Sequence, residues 1–129
     1  MNNKNVGVIG LGAMGLGIAR SLLRAGFNVH ACDVREAVTQ QFAGEGGVAC
    51  TSPAHMADTC DVIITVVVNA EQTETVLFGE GGAVAALRPD SLLIGCATVA
   101  PTYAVELGQR LGEHGLLYLD APISGGAAK

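Results

Sequence analysis

The stretch Val6-Gly7-Val8-Ile9-Gly10-Leu11-Gly12-Ala13-Met14-Gly15, with an acid further on at Asp33, constrains this chain more than any other feature. An apolar β-forming run meets glycines spaced Gly-x-Gly-x-x-Gly, and an amphipathic helical pattern begins at once. Each part has a physical task. Gly10 permits a tight turn. Gly12 leaves no Cβ where a pyrophosphate would approach the backbone, and Gly15 lets the first helix lie close on a sheet. Free N–H groups at that helix start favour an anion. Asp33, 18 positions after Gly15, ends a second β-type run, where a carboxylate accepts hydrogen bonds from ribose hydroxyls. Glycine spacing alone is a weak signal in a chain with 18 glycines, since a βα turn without a ligand uses the same residues. The order strand, glycine turn, helix, strand, acid makes it a dinucleotide-binding fingerprint.

The rest of the chain keeps the alternation going. Strands are expected over 5–10, 27–33, 48–50, 62–68, 91–96 and 116–119, the last ending at Asp120. Helices are expected over 13–25, 35–43, from Ser52-Pro53 onward, 73–78, 82–87 and 101–114. In the first helix Met14, Ile18 and Leu22 share a face, with Ala19 and Leu23 beside them, and Gly26 ends it as a left-handed cap. In the last, Tyr103, Leu107 and Leu111 share a face. Val62-Ile63-Ile64-Thr65-Val66-Val67-Val68 is the most strongly β-forming run and suits a strand covered on both faces. Such alternation with short connections predicts a Rossmann-type α/β fold: one domain over 1–129 with a doubly wound, mostly parallel sheet. Ligands of such sheets sit beyond the carboxyl ends of the strands. The segments to inspect are therefore 10–15, 33–35, 68–72, 96–101 and 120–126.

Charge and composition exclude several classes. The net charge of −5 and scattered basic residues, with Arg20 and Arg24 on one helix, argue against a nucleic-acid partner. No apolar run is long enough to span a bilayer. Half the residues are apolar and only 15% are charged, so some apolar surface is expected to serve another domain or subunit. Cys32, Cys50, Cys60 and Cys96 form no Cys-x-x-Cys pair and read as free thiols in a reducing cytoplasm. His30, His55 and His114 lack metal-ligand spacing, so no metal is expected. Cys96, near the expected crevice, reads as a small buried hydrophobe rather than a redox group.

Asp33 bears on the choice of cofactor. A carboxylate binds a free ribose 2′-OH and repels a 2′-phosphate, which favours NAD over NADP. Arg35 complicates this: it stacks on adenine, pairs with a phosphate, or is simply a solvated helix-start residue. A methyltransferase is a rival adenosine binder, but its strand carries an acid before the glycines, and none precedes Gly10.

Three segments resemble the β-hydroxyacid dehydrogenases, which include 3-hydroxyisobutyrate, tartronate semialdehyde and threonate dehydrogenases and are related to 6-phosphogluconate dehydrogenase. Gly10-Leu11-Gly12-Ala13-Met14-Gly15 resembles the family's cofactor motif. Ala97-Thr98-Val99-Ala100-Pro101 resembles its Ser-Thr segment near the nicotinamide, and 120–126 (Asp-Ala-Pro-Ile-Ser-Gly-Gly) is similar to its substrate motif. Val67-Val68-Asn69-Ala70 and Val76-Leu77-Phe78-Gly79 resemble the L-threonate dehydrogenase-like members.

The resemblance implies hydride transfer between a small 2- or 3-hydroxy acid and a nicotinamide cofactor, in a protein that is a homo-oligomer at full length. It implies cofactor contacts at Gly10, Leu11, Gly12, Ala13, Met14, Gly15, Asp33, Val34, Arg35, Val67, Val68, Asn69 and Thr98. Substrate contacts are implied at Ser124, Gly125 and Gly126; the two glycine N–H groups can converge on a carboxylate and the serine can donate to it. Thr98 would orient cofactor or substrate through its hydroxyl, or else bond its own backbone at a strand end. Ala97 replaces the family's usual serine. The family's catalytic lysine lies in a helical C-terminal domain, and this sequence holds only Lys4 and Lys129, neither matching it. The chain thus reads as the N-terminal, cofactor-binding part of such an enzyme, with no catalytic residue of its own and without turnover alone. A non-catalytic NAD-sensing module is the alternative.

Overall fold

The computed structural model describes residues 4–121. Strand β1 (Asn5–Ile9) lies inside a six-stranded sheet ordered β3-β2-β1-β4-β5-β6. The other strands are β2 (Asn28–Cys32), β3 (Val48–Ala49), β4 (Val62–Thr65), β5 (Leu92–Gly95) and β6 (Leu117–Asp120), and every neighbouring pair is parallel. Helices α1 (Ala13–Arg24), α2 (Glu36–Gly44), α3 (Pro53–Ala57), α4 (Ala70–Phe78) and α5 (Pro101–Glu113) make the crossovers, with a 3-10 turn at Val84–Ala86. The chain winds outward from β1 to β3, then returns across the sheet to β4 on the other side of β1. This reversal opens a crevice between the carboxyl ends of β1 and β4. Register levels that edge: Ile9 pairs with both Cys32 and Thr65, Thr65 with Gly95, and Gly95 with Asp120.

Helix-to-strand corners at the opposite edge repeat one device. After α1, the Gly26 N–H donates to Leu23 O and the Phe27 N–H to Leu22 O, with Gly26 at φ +99°. The same pair of bonds, with a left-handed glycine, closes α2 at Gly46 and α5 at Gly115. Each corner satisfies carbonyls the helix would leave open and turns the chain straight into the next strand.

Two cores sandwich the sheet. On one face Val8, Val29 and Ala31 meet Ala19 of α1 and Phe42 of α2, with Leu11 beside them. On the other, Ile63 and Leu93 meet Met56 and Ala57 of α3, Leu77 of α4, and Leu107 and Leu111 of α5. Each of those large side chains, once buried, contributes about 1.5–3 kcal/mol by leaving water.

Three expectations shift. First, β4 ends at Thr65 rather than Val68. Val66 N–H still donates to Ile9 O at 2.7 Å, but β1 turns away at Gly10, so Val67 and Val68 have no strand to pair with. Second, α4 begins at Ala70, not 73, because Asn69 caps it: its Oδ1 accepts from Gln72 N–H at 2.9 Å. Third, α1 buries Gly15 and Ala19 against the sheet while Met14 stays 40% exposed. The helix rides so close that only Gly15 and Ala19 are fully buried, while Leu16, Leu22 and Leu23 pack partly buried against the same core. Tyr103 is likewise only half buried, its hydroxyl donating to Glu74 while Arg110 grips the same carboxylate at 2.7 and 3.0 Å. On β6, Leu117 and Leu119 remain 56% and 52% exposed.

Candidate cofactor crevice

The turn after β1 is fixed by its glycines. Gly10 has φ +101°, and a Cβ there would stand 2.3 Å from Val66 O. A Cβ on Gly15 would stand 1.8 Å from Gly10 O, so helix and turn can approach only without side chains. Gly12 differs: a Cβ there would meet nothing within 4 Å. Among the described residues its bareness serves no packing need. Gly12 is also the N-cap of α1, with no side chain capping the helix and no acid in its first turn. The helix therefore opens its donors and its partial positive charge toward solvent above the crevice.

Asp33 stands one residue past β2. Its side chain is only 7% exposed, and its Oδ2 accepts from Leu11 N–H at 2.6 Å, tying the β2 end to the glycine turn. Oδ1 accepts from the Arg35 backbone N–H at 2.8 Å and from Arg35 Nε at 2.9 Å. Arg35 Nη2 also reaches Oδ2, at 3.1 Å. The Arg35 side chain, then its backbone N–H and that of Leu11, hold the Asp33 carboxyl down at about 2, against the burial that would raise it. Asp33 is thus a carboxylate at any physiological pH.

A cleft of about 570 Å³ runs along this edge, lined by Gly10, Gly12, Asp33, Val34 and Arg35 on one side and Val66, Val67 and Val68 on another. A smaller hollow of about 280 Å³ continues from it past Gly12, Ala13, Met14 and Gly15 to Cys96 and Thr98. Gly12 and Val66 to Val68 line both. The fold thus gathers Gly10, Gly12, Ala13, Met14, Gly15, Asp33, Val34, Arg35, Val67, Val68 and Thr98 around one crevice. Leu11 is buried beneath it, contributing its N–H. Asn69 lines neither hollow, its oxygen being used as the α4 cap. Ser124, Gly125, Gly126 and Lys129 lie outside the described residues. Lys4 precedes β1, at the edge of the sheet opposite the crevice.

Sequence reasoning missed part of the wall. Thr51, Ser52 and Pro53 from the β3–α3 connection, and Gln72, Thr75, Val76 and Glu80 around α4, also line the larger cleft. Only Gln72 had a signal, its place in a segment that follows a strand. Two apolar side chains stand out at the rim: Val34 is 100% exposed and Val68 73%. Both line the larger cleft. All four cysteines are free and buried; burial pushes the Cys32 thiol up to about 11 and Cys60 up to about 12, which keeps both inert at neutral pH. Among the described residues no group of His, Cys, Asp and Glu could hold a metal, and no helix is long and apolar enough to cross a membrane.

Comparison with known proteins agrees with this geometry. Residues 5–129 match the family described as the NAD binding domain of 6-phosphogluconate dehydrogenase. The L-threonate dehydrogenase of Cupriavidus necator is 64% identical over 127 residues, which cover 98% of this chain and 43% of that protein. The L-threonate dehydrogenase of Pectobacterium atrosepticum is 40% identical over 125 residues, 96% of this chain and 41% of that protein. Among solved structures, 3-hydroxyisobutyrate dehydrogenase from Salmonella typhimurium aligns with a TM-score of 0.91 at 37% identity, covering 98% of this chain and 44% of that one. The chain spans less than half the length of the relatives it matches.

Proposed function

This chain belongs to the NAD-binding domain family of the β-hydroxyacid dehydrogenases, and from that we propose that it seats NAD for hydride exchange with a small 2- or 3-hydroxy acid of the threonate or 3-hydroxyisobutyrate type. The observation that carries the reading is the pairing of a bare, uncapped helix start at Gly12 with a buried carboxylate at Asp33, both lining one cleft.

The residues present fit a dinucleotide. The α1 N-terminus offers N–H donors and positive potential to a diphosphate, and the empty space above Gly12 accepts its approach. Asp33 accepts from the adenosine ribose hydroxyls, and Val34 and Val68 give adenine an apolar seat. Thr98 and Met14 border the smaller hollow, where the nicotinamide end would lie. When bound, the nicotinamide supplies the hydride acceptor. This chain's own residues bind and orient. Oxidising the alcohol also requires a base for its hydroxyl proton, and none of the residues around the described crevice is a lysine or histidine. We therefore assign the base to the rest of the full-length protein, with the substrate carboxylate held at Ser124, Gly125 and Gly126. NAD is favoured over NADP because a 2′-phosphate beside the ionised Asp33 is repelled.

Calorimetric titration with NAD and NADH tests the reading. The protein is expected to bind both, NADP more weakly, and to produce no NADH from L-threonate or 3-hydroxyisobutyrate unless the remainder of the enzyme is restored. Flat titrations remove the proposal.

A further inference from the structure

Asp33 already carries as many hydrogen bonds as a carboxylate accepts. Its two oxygens offer about four acceptor positions, and four contacts fill them. Two come from backbone N–H groups, Leu11 to Oδ2 at 2.6 Å and Arg35 to Oδ1 at 2.8 Å. These belong to the turns that build the crevice and cannot leave without unmaking it. The other two come from one exposed group, the Arg35 guanidinium, through Nε to Oδ1 at 2.9 Å and Nη2 to Oδ2 at 3.1 Å. A ribose diol brings two O–H donors to the same two oxygens. Two can enter only where two leave, and the guanidinium pair is the exchangeable one. The Arg35 side chain is 56% exposed, so it can swing away without disturbing the core. Among the described residues lining the larger cleft it is also the only cation, in a lining that carries the carboxylates of Asp33 and Glu80.

Resting on the reading that Asp33 holds the adenosine ribose, we propose that Arg35 is a built-in competitor for that sugar: its guanidinium occupies the carboxylate positions that the ribose hydroxyls need, so NAD binds by displacing it. The same contact softens the bias against NADP. A 2′-phosphate cannot donate to Asp33, but it meets a carboxylate whose charge Arg35 offsets. Arg35 therefore narrows the discrimination that Asp33 creates, weakening the preferred cofactor and tolerating the other.

The test is calorimetric titration of NAD and of NADP into the protein and its Arg35→Ala and Arg35→Lys variants. Arg35→Ala is expected to bind NAD about three- to fivefold more tightly, the scale of releasing an exposed ion pair, and NADP about tenfold more weakly, the scale of losing one charge-assisted contact. Arg35→Lys, which keeps the charge without the fork, is expected to hold NADP within about threefold of the unmodified protein. A merely orienting role for Arg35 predicts the reverse, weaker NAD in Arg35→Ala. NAD affinity that fails to rise in that variant, or NADP affinity that rises with it, overturns the proposal. An unmodified protein that binds neither cofactor removes the reading of Asp33 itself, and the inference with it.

Discussion

Helices α1 and α4 both start at the carboxyl edge of the sheet, one after β1 and the other after β4, yet they treat their open backbone donors in opposite ways. At α4, Asn69 Oδ1 accepts from Gln72 N–H, and Gln72 Oε1 accepts in turn from Val68 N–H, both at 2.9 Å. Side chains of the loop answer the helix, and the start is closed. At α1 the N-cap is Gly12, with no side chain to offer, and its surroundings are bare. The first arrangement stabilises the fold. The second leaves polar capacity unspent, and a domain does that where a ligand will spend it. Asn69, expected from the resemblance to touch cofactor, sits on the stabilising side of this divide.

The hardest way to break the contrast is Gly15→Ala. A methyl 1.8 Å from Gly10 O forces turn and helix apart, so urea denaturation should show a loss of about 3 kcal/mol, with NAD binding abolished. Gly12→Ala separates ligand from fold more cleanly. The methyl has room, so stability should change by less than about 1 kcal/mol, while NAD affinity measured by calorimetry should fall at least about tenfold. Equal losses in both quantities would mean that Gly12 is structural.

Asp33→Asn is expected to weaken NAD about tenfold, the cost of replacing a charged acceptor, and to flatten acid unfolding. The sign follows from linkage: the Asp33 pKa is lowered on folding from the usual 3.8 to about 2. Its contribution is therefore complete above about pH 4 and lost as pH falls toward 2. Urea midpoints across that window should drop more steeply for the native protein than for Asp33→Asn. The smallest effect belongs to the closed helix start. Asn69→Ala should cost about 1 kcal/mol of stability through the lost cap and leave NAD affinity within about twofold. A larger fall in affinity would give Asn69 the cofactor contact that the family resemblance implies.

Legibility in the sequence followed the range of the interactions. Gly10, Gly12 and Gly15 act on backbone a few residues away, and Asp33 is placed by the strand before it, so their pattern reads directly. The helix caps at Gly26 and Ser52-Pro53 were equally local: Ser52 Oγ accepts from His55 N–H at 3.2 Å, three residues on. The 62–68 run misled because valine's preference for extended backbone says nothing about whether a partner strand is still alongside. Pairing stopped where β1 turned. Thr51, Ser52, Thr75 and Glu80 were invisible as crevice residues because nothing in their own segments marks them; α3 and α4 carry them there.

By itself the sequence determined the alternation of strands and helices, the glycine turn and the acid that follows, since these depend on side-chain size and on contacts within a few residues. Only the tertiary structure decided which loops wall the crevice and that the Leu11 N–H ties Asp33 to the glycine turn. A side chain's partner is chosen by what else competes for the same space, and that competition exists only once β2, the glycine turn and the start of α2 have been brought together.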